Sequence, residues 1–234
     1  MDIKRIGLTN NQLKILAMVS MLLDHVGLML LPEWTFLRVL GRLAFPIFAY
    51  MIAEGCRHTK NRIKYLLTLL VMALGIQAVY FVAMGSLYQN ILLTFTLSVL
   101  LICGVDLFLQ KKTVAWGLLA AGTVLLVVFV GAIAPVLFKS AGFVIDYGFF
   151  GVLLPVAVYY APGNKPGKLI AVAAILLIRA LLYGELKWFA FLSLPFLALY
   201  NGKRGKYKLK YLFYIFYPAH LLAIYLIEQL LSRG

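Results

Sequence analysis

Lys14 and His25 are separated by ten residues. Eleven steps of 100° return to within about 20° of the starting direction and rise about 16.5 Å. One helix therefore presents a cation near one end and an imidazole toward the other on a single stripe, with Met18 and Met21 between them. That rise is close to the length of a pantetheine arm. A coenzyme A thioester held by its phosphates at a basic rim would extend its acyl group to His25, the general base of a transfer reaction. The plainer alternative is a snorkelling lysine and a hydrogen-bonded packing histidine.

Asp24 points about 80° away from this stripe, since neighbours on a helix do not face each other. It is expected to pair with Arg42 or Arg38 and to support the site without acting as base. Arg38 and Arg42 are four apart and share a helix face. Pro46 has no N–H to offer the Arg42 carbonyl, which predicts a kink and makes Gly41-Arg42-Leu43-Ala44-Phe45-Pro46 a candidate pocket wall. Pro218 and His220 repeat the arrangement near the C-terminus. Arg57-His58-Thr59-Lys60-Asn61-Arg62-Ile63-Lys64 is the densest early basic cluster. Arg57, His58, Lys60 and Arg62, with Lys14, are candidates for holding phosphates; positive-inside sorting alone explains them as well.

These residues must be positioned by membrane helices. Only 13% of the 234 residues are charged and 64% are apolar, with a mean hydropathy of +0.96, against roughly 25% charged in an ordinary soluble domain. Apolar runs near twenty residues long match a hydrocarbon core of about 30 Å, and they lack the alternation of a barrel strand. The fold class is all-α, a polytopic bundle of about nine crossings (8 to 10) in one domain, 1–234. The spans read as 12–31, 35–54, 64–84, 90–109, 113–138, 142–160, 168–184, 187–200 and 210–231. The fourteen-residue eighth span is the weakest and is alternatively re-entrant or fused with the seventh around Gly184.

The formal charge of +14 is a topology signal. With the N-terminus inside, sixteen of the 22 Lys and Arg residues fall in cytoplasmic segments: Lys4, Arg5, Lys14, Arg57, Lys60, Arg62, Lys64, Lys111, Lys112, Lys165, Lys168, Lys203, Arg204, Lys206, Lys208 and Lys210. Lys139, Lys187 and Arg233 fall outside. Nucleic acid is not expected as a partner, whereas anionic lipid headgroups are for the Lys203 to Lys210 run. The first apolar segment is too long for a signal-peptide core and is expected to be retained. Cys56 and Cys103 are expected to be reduced packing residues.

Charges inside spans cost roughly 2.5 to 3.5 kcal/mol at mid-helix unless paired or wet. Asp24, His25, Arg38, Arg42, Asp146 and Arg179 fall in the outer halves of their helices on this topology, joined by Asn90 at the outer start of the fourth span and His220 near the middle of the ninth, and are expected to meet in one cavity. Structural ion pairs, Asp24 with Arg42 and Asp146 with Arg179, are the competing reading. No P-loop, dinucleotide fingerprint, His-Glu-x-x-His or closed zinc set is present, and no metal is expected.

The stretches Leu13-Lys14-Ile15 through Asp24-His25-Val26-Gly27, Leu37-Arg38 through Gly41-Arg42-Leu43-Ala44-Phe45-Pro46-Ile47-Phe48 to Glu54-Gly55, His58-Thr59, Asn90-Ile91-Leu92 with Thr94, Asp146-Tyr147-Gly148 with Gly151, and Tyr217-Pro218 with His220 resemble the TraX family, whose namesake acetylates the N-terminus of pilin. The Lys14 to His25 spacing is also similar to the basic-residue, ten-gap, histidine motif of acyltransferase family 3. The chain departs from that group after the second helix, reading Phe48-Ala49-Tyr50 and later Glu54-Gly55 where a Phe-rich stretch ending in Ser-Gly is usual. The resemblance implies acetyl transfer from acetyl-CoA, an inner-membrane location, and an acceptor that is a peptide, an envelope glycan or a lipid. It adds Tyr147 and Tyr217 to the cavity with Arg38, Asp146, Arg179 and His220, while Asp24, Arg42 and Asn90 orient the base or stabilise an oxyanion. A transporter or flippase with a buried proton relay and a non-catalytic scaffold with charges as helix glue remain as alternatives.

Overall fold

The computed structural model describes residues 7–206 and 209–232; Lys4, Arg5, Lys208 and Arg233 lie outside the described residues. The helices in chain order are α1 (Asn10–Met29), α2 (Thr35–Gly41), α3 (Ala44–His58), α4 (Arg62–Met84), α5 (Ile91–Lys111) and α6 (Val114–Val128). They continue with α7 (Ala134–Leu137), α8 (Gly148–Tyr160), α9 (Lys165–Tyr183), α10 (Ser193–Ala198) and α11 (Lys210–Leu231). Two compact units result, Met1–Met51 with Gly163–Gly234, and Ile52–Pro162. The chain is nearly all helical, and six of its described helical segments are long and apolar enough to cross a membrane.

In the first unit α1 starts at a capping box: Thr9 accepts from the Gln12 amide while the Gln12 side chain accepts from the Thr9 N–H at 2.8 Å. α2 packs closely on α1 because the contact points are glycines. A Cβ on Gly41 would collide with the Asp24 side chain, and one on Gly27 would lie 2.8 Å from Leu37 Cβ. The 35–54 span resolves into two helices that break at Arg42–Leu43. Pro46 sits in the first turn of α3, where a missing N–H breaks no helical bond.

The eighth span is wound differently from an ordinary membrane helix. Glu185–Leu192 forms a 3-10 helix and only Ser193–Ala198 is α-helical. At about 2.0 Å and 1.5 Å per residue the two pieces cover roughly 25 Å. Lys187, at one end, lies within range of the charges of Arg42, Arg179, Arg38 and Asp24; Leu199, at the other, accepts from the Leu8 N–H at 2.8 Å. On α1, which begins two residues after Leu8, Asn10 and Asp24 are fourteen residues and about 21 Å apart. The two pieces are thus about 5 Å shorter than the twenty residues of α1, at about 30 Å.

In the second unit α5 is the central helix, with Thr94, Phe95, Ser98, Val99 and Ile102 among its buried residues. A parallel two-residue ladder pairs Tyr88 with Val144 and Gln89 with Ile145. The 142–160 span is shortened to α8 because the chain first forms this ladder and then turns through Tyr147 and Gly148, both in the left-handed region at φ +62° and +60°. α6 passes into a π-turn, Phe129–Ile133, just ahead of Pro135, which has no N–H for the Gly131 carbonyl. Large apolar side chains line the outer faces of α4 and α6, Val82 and Val114 at 85% and 80% exposure, as expected of surfaces solvated by lipid tails. Cys56 and Cys103 are free thiols in one buried cluster with Leu69, Val99 and Ile102.

Candidate active site

α1 and α11 present the histidine pair. Lys14 Nζ lies 5.1 Å from the Phe213 ring centroid, and the His25 and His220 rings meet edge to face, 5.0 Å between centroids and 62° between planes. Contacts recur in the same order along both helices, so α1 and α11 run parallel. Met18 and Met21 on the stripe between Lys14 and His25 are 7% and 8% exposed, which places the stripe toward the protein interior.

Backbone carbonyls set the histidine tautomers. His25 Nδ1 is 2.9 Å from the Met21 carbonyl and His220 Nδ1 is 2.8 Å from the Phe216 carbonyl. A carbonyl oxygen only accepts, so in the neutral rings both protons sit on Nδ1. His220 Nε2 then carries a lone pair 3.3 Å from His25 Nδ1 and is a second acceptor for the same proton. His25 Nε2 is left as a lone-pair nitrogen. Phe216 stacks on the His220 ring at 4.9 Å and 10°, and Tyr217 meets it edge on at 5.6 Å, which fixes the rotamer of the second imidazole.

Asp24 faces α2. Its carboxylate pairs with Arg42 and, at 3.3 Å, with Arg38. Arg38 Nη1 also donates to the Asp24 carbonyl at 3.0 Å, and Arg42 Nε to the Arg38 carbonyl at 3.3 Å. Asp24 thus braces the α1–α2 contact beside His25. Arg179, 6% exposed, lies over the Phe45 and Tyr183 rings at 5.3 and 5.5 Å. Lys187 joins this neighbourhood, a residue that sequence reasoning assigned only to an outer loop.

Asn90, Asp146 and Tyr147 belong to the second unit. Asn90, 1% exposed, caps α5 by accepting from the Leu92 N–H at 3.1 Å and donates to the Ala73 carbonyl at 2.9 Å. Asp146 accepts from the Tyr88 hydroxyl at 2.8 Å, and its carbonyl accepts from Thr94 Oγ1 at 2.6 Å. Partial burial and then the Asp146 carboxylate push the Tyr88 phenol above its usual range.

The basic cluster at 57–64 divides in two. Arg57 donates to the carbonyls of Val158, Tyr159 and Ala161, closing the C-terminus of α8. Arg62 pairs with Asp106 and donates to the Tyr159 hydroxyl at 2.6 Å. Both guanidinium groups lie 5.5 Å from the Tyr159 ring centroid. Tyr159 and Tyr160 donate to the two Asp106 oxygens at 2.6 and 2.7 Å. His58, 72% exposed beside Glu54 at 3.5 Å, and Lys60 face outward. Sequence reasoning missed Asp106, although a carboxylate near the end of an apolar span was the available signal. Among the described residues no group of His, Cys, Asp or Glu side chains is arranged to hold a metal.

The chain is similar to a probable fimbrial assembly protein FimC, serogroup H1, of Dichelobacter nodosus, 26% identical over 230 residues covering 90% of this chain and 91% of that protein. An uncharacterized protein of Rickettsia prowazekii (strain Madrid E) is 50% identical over 44 residues, 18% of each chain. No solved structure matches. The family described as TraX protein matches residues 9–228, a span that includes both histidines, Lys14, Asp24 and the α2 arginines. The chain belongs to the TraX family.

Proposed function

We propose that this membrane protein is an acyltransferase that moves an acetyl group from cytoplasmic acetyl-CoA to an amine or hydroxyl on an extracytoplasmic or membrane-embedded acceptor. Membership of a family named for a pilin-acetylating protein and a fimbrial-assembly relative support a pilin-like peptide as acceptor. The single observation that carries the reading is the state of His25: Nδ1–H is held by Met21 and His220, and Nε2 keeps its lone pair.

His25 Nε2 takes the proton from the acceptor N–H or O–H as its lone pair attacks the thioester carbonyl carbon. The C–S bond breaks, the thiolate leaves with the bonding electrons, and the proton on Nε2 passes to sulfur, giving coenzyme A and the acetylated acceptor. The imidazolium formed in between is stabilised by the Met21 carbonyl and His220 Nε2, while the Asp24 carboxylate stays paired with Arg38 and Arg42. Met18 and Met21, unbranched and adaptable, yield to a pantetheine chain lying along the stripe.

The nine-crossing topology, with the N-terminus in the cytoplasm of a bacterial inner membrane, suits this reading. The 3-10 helix and α10 together cover about 25 Å, and the parallel α1 and α11 start on the same side. The test is acetyl transfer by the full chain in native membranes with labelled acetyl-CoA. His25→Ala is expected to lower the rate by about 10²- to 10⁴-fold with normal membrane insertion; a variant that folds and transfers at the wild-type rate refutes it.

A further inference from the structure

The loop between α10 and α11 is built against the start of α1. Leu8 N–H donates to the Leu199 carbonyl at 2.8 Å, Asn201 N–H to Leu8 at 2.9 Å, Asn10 N–H to Lys203 at 2.8 Å and Asn11 N–H to Arg204 at 3.1 Å. The Asn201 side chain donates to the Gly7 carbonyl at 2.9 Å and accepts from the Lys203 N–H at 2.9 Å. Gly205 takes φ +99°, and a Cβ there would stand 3.0 Å from Asn11 Nδ2, so the loop closes tightly on the helix. This is a shaped turn of the sequence Asn201-Gly202-Lys203-Arg204-Gly205-Lys206.

The turn holds like charges together. Arg204 lies within Coulombic range of Lys14, and Lys203 stands beside it in the chain. The carboxylates on side chains among the described residues of this unit are Asp24, Glu33, Glu185 and Glu228. All are at the other end of α1: Asp24 is fourteen residues along it, Glu33 beyond its C-terminus, Glu185 just ahead of Lys187, and Glu228 late in the parallel α11. Lys14, Lys203 and Arg204 are like charges brought together by the bonded turn, and an anion from outside relieves their repulsion.

We propose that this turn, with Lys14, is a phosphate site, and that its occupant is the phosphorylated head of the coenzyme thioester. The occupant rests on the proposed acyl transfer; the phosphate chemistry does not. A head bound here sits at the foot of the Lys14 to His25 stripe, about 16.5 Å of helix below the imidazole. Lys203 and Arg204 are exposed and have backbone-pinned positions, unlike Arg57 and Arg62, whose guanidinium groups already serve carbonyls, a carboxylate and a phenol.

The test uses the full chain in nanodiscs, with calorimetric titration of coenzyme A in pure phosphatidylcholine and, in a second arm, retention of phosphatidylglycerol from mixed lipid measured by native mass spectrometry. K203Q/R204Q is expected to weaken coenzyme A binding by at least about tenfold, with K111Q/K112Q in the second unit within about twofold of wild type. Loss of phosphatidylglycerol retention alone upholds the phosphate site, assigns it to lipid headgroups and removes the coenzyme. No change in either arm, with the variant's melting temperature preserved, overturns the site. If coenzyme A binding survives in K203Q/R204Q while His25→Ala abolishes transfer, the acyltransferase stands and this phosphate site falls.

Discussion

Replacing His220 by Phe keeps a ring of similar volume between Phe216 and His25 but deletes the nitrogen 3.3 Å from His25 Nδ1. The Met21 carbonyl at 2.9 Å remains, so the tautomer survives and the loss falls on the imidazolium of the proposed transfer. A hydrogen bond to a charged group contributes about 1.5 to 3 kcal/mol. The longer distance and the shared proton set the lower end here, about 1.5 kcal/mol, or roughly tenfold in rate. His220→Gln offers an amide oxygen at a similar reach and is expected to recover the rate to within about threefold of wild type. The assay is labelled acetyl transfer in native membranes, paired with ¹⁵N NMR of histidine-labelled chain in nanodiscs to read which His25 nitrogen carries the proton. A His220→Phe rate within twofold of wild type, or a neutral His25 protonated on Nε2, refutes the role of the pair.

Asp24→Asn leaves Arg42, 7% exposed, without its carboxylate and is expected to cost about 3 kcal/mol, read as a lower melting temperature in detergent. Gly41→Ala forces a methyl into the Asp24 side chain and should cost about 1 to 3 kcal/mol by the same measurement. Asp106→Asn removes the charge shared by Arg62, Tyr159 and Tyr160; melting should drop more than in Tyr160→Phe, which loses one hydrogen bond. The raised Tyr88 phenol favours the folded state below its unfolded pKa of about 10. Wild type should therefore lose stability as pH rises past 10 more steeply than Tyr88→Phe, and equal slopes in a pH-jump melting series would remove the Tyr88–Asp146 coupling.

Long-range pattern was legible in the amino acids. Apolar runs, the Lys14 to His25 phase and the Asp24 pairing with Arg42 and Arg38 follow from 3.6-residue periodicity and from the cost of a lone charge in lipid, and all are present in the structure. The encounter of His25 with His220 was expected only as shared membership of a cavity. Its geometry depends on two carbonyls four residues back in each helix, at Met21 and Phe216, and a sequence does not say which side chain turns back to its own backbone.

What stayed hidden has one physical cause: charge type is visible in sequence and charge satisfaction is not. Arg57, Lys60, Arg62 and Lys64 look alike as a basic run. Folding gives Arg57 a helix end and Arg62 a carboxylate and a phenol, while Lys60 and Lys64 stay exposed. Lys203 and Arg204 look like the same kind of loop, yet backbone bonds to Asn10 and Asn11 place them at the foot of the Lys14 to His25 stripe. The 187–200 segment was ambiguous for a related reason. Fourteen residues are too few for a membrane α-helix, but a 3-10 turn gains about 0.5 Å per residue over an α-turn, and that gain lengthens the segment ahead of the Leu199 bond to Leu8. The length of such a segment is therefore a property of how the backbone winds, and residue count alone underestimates it wherever a helix tightens.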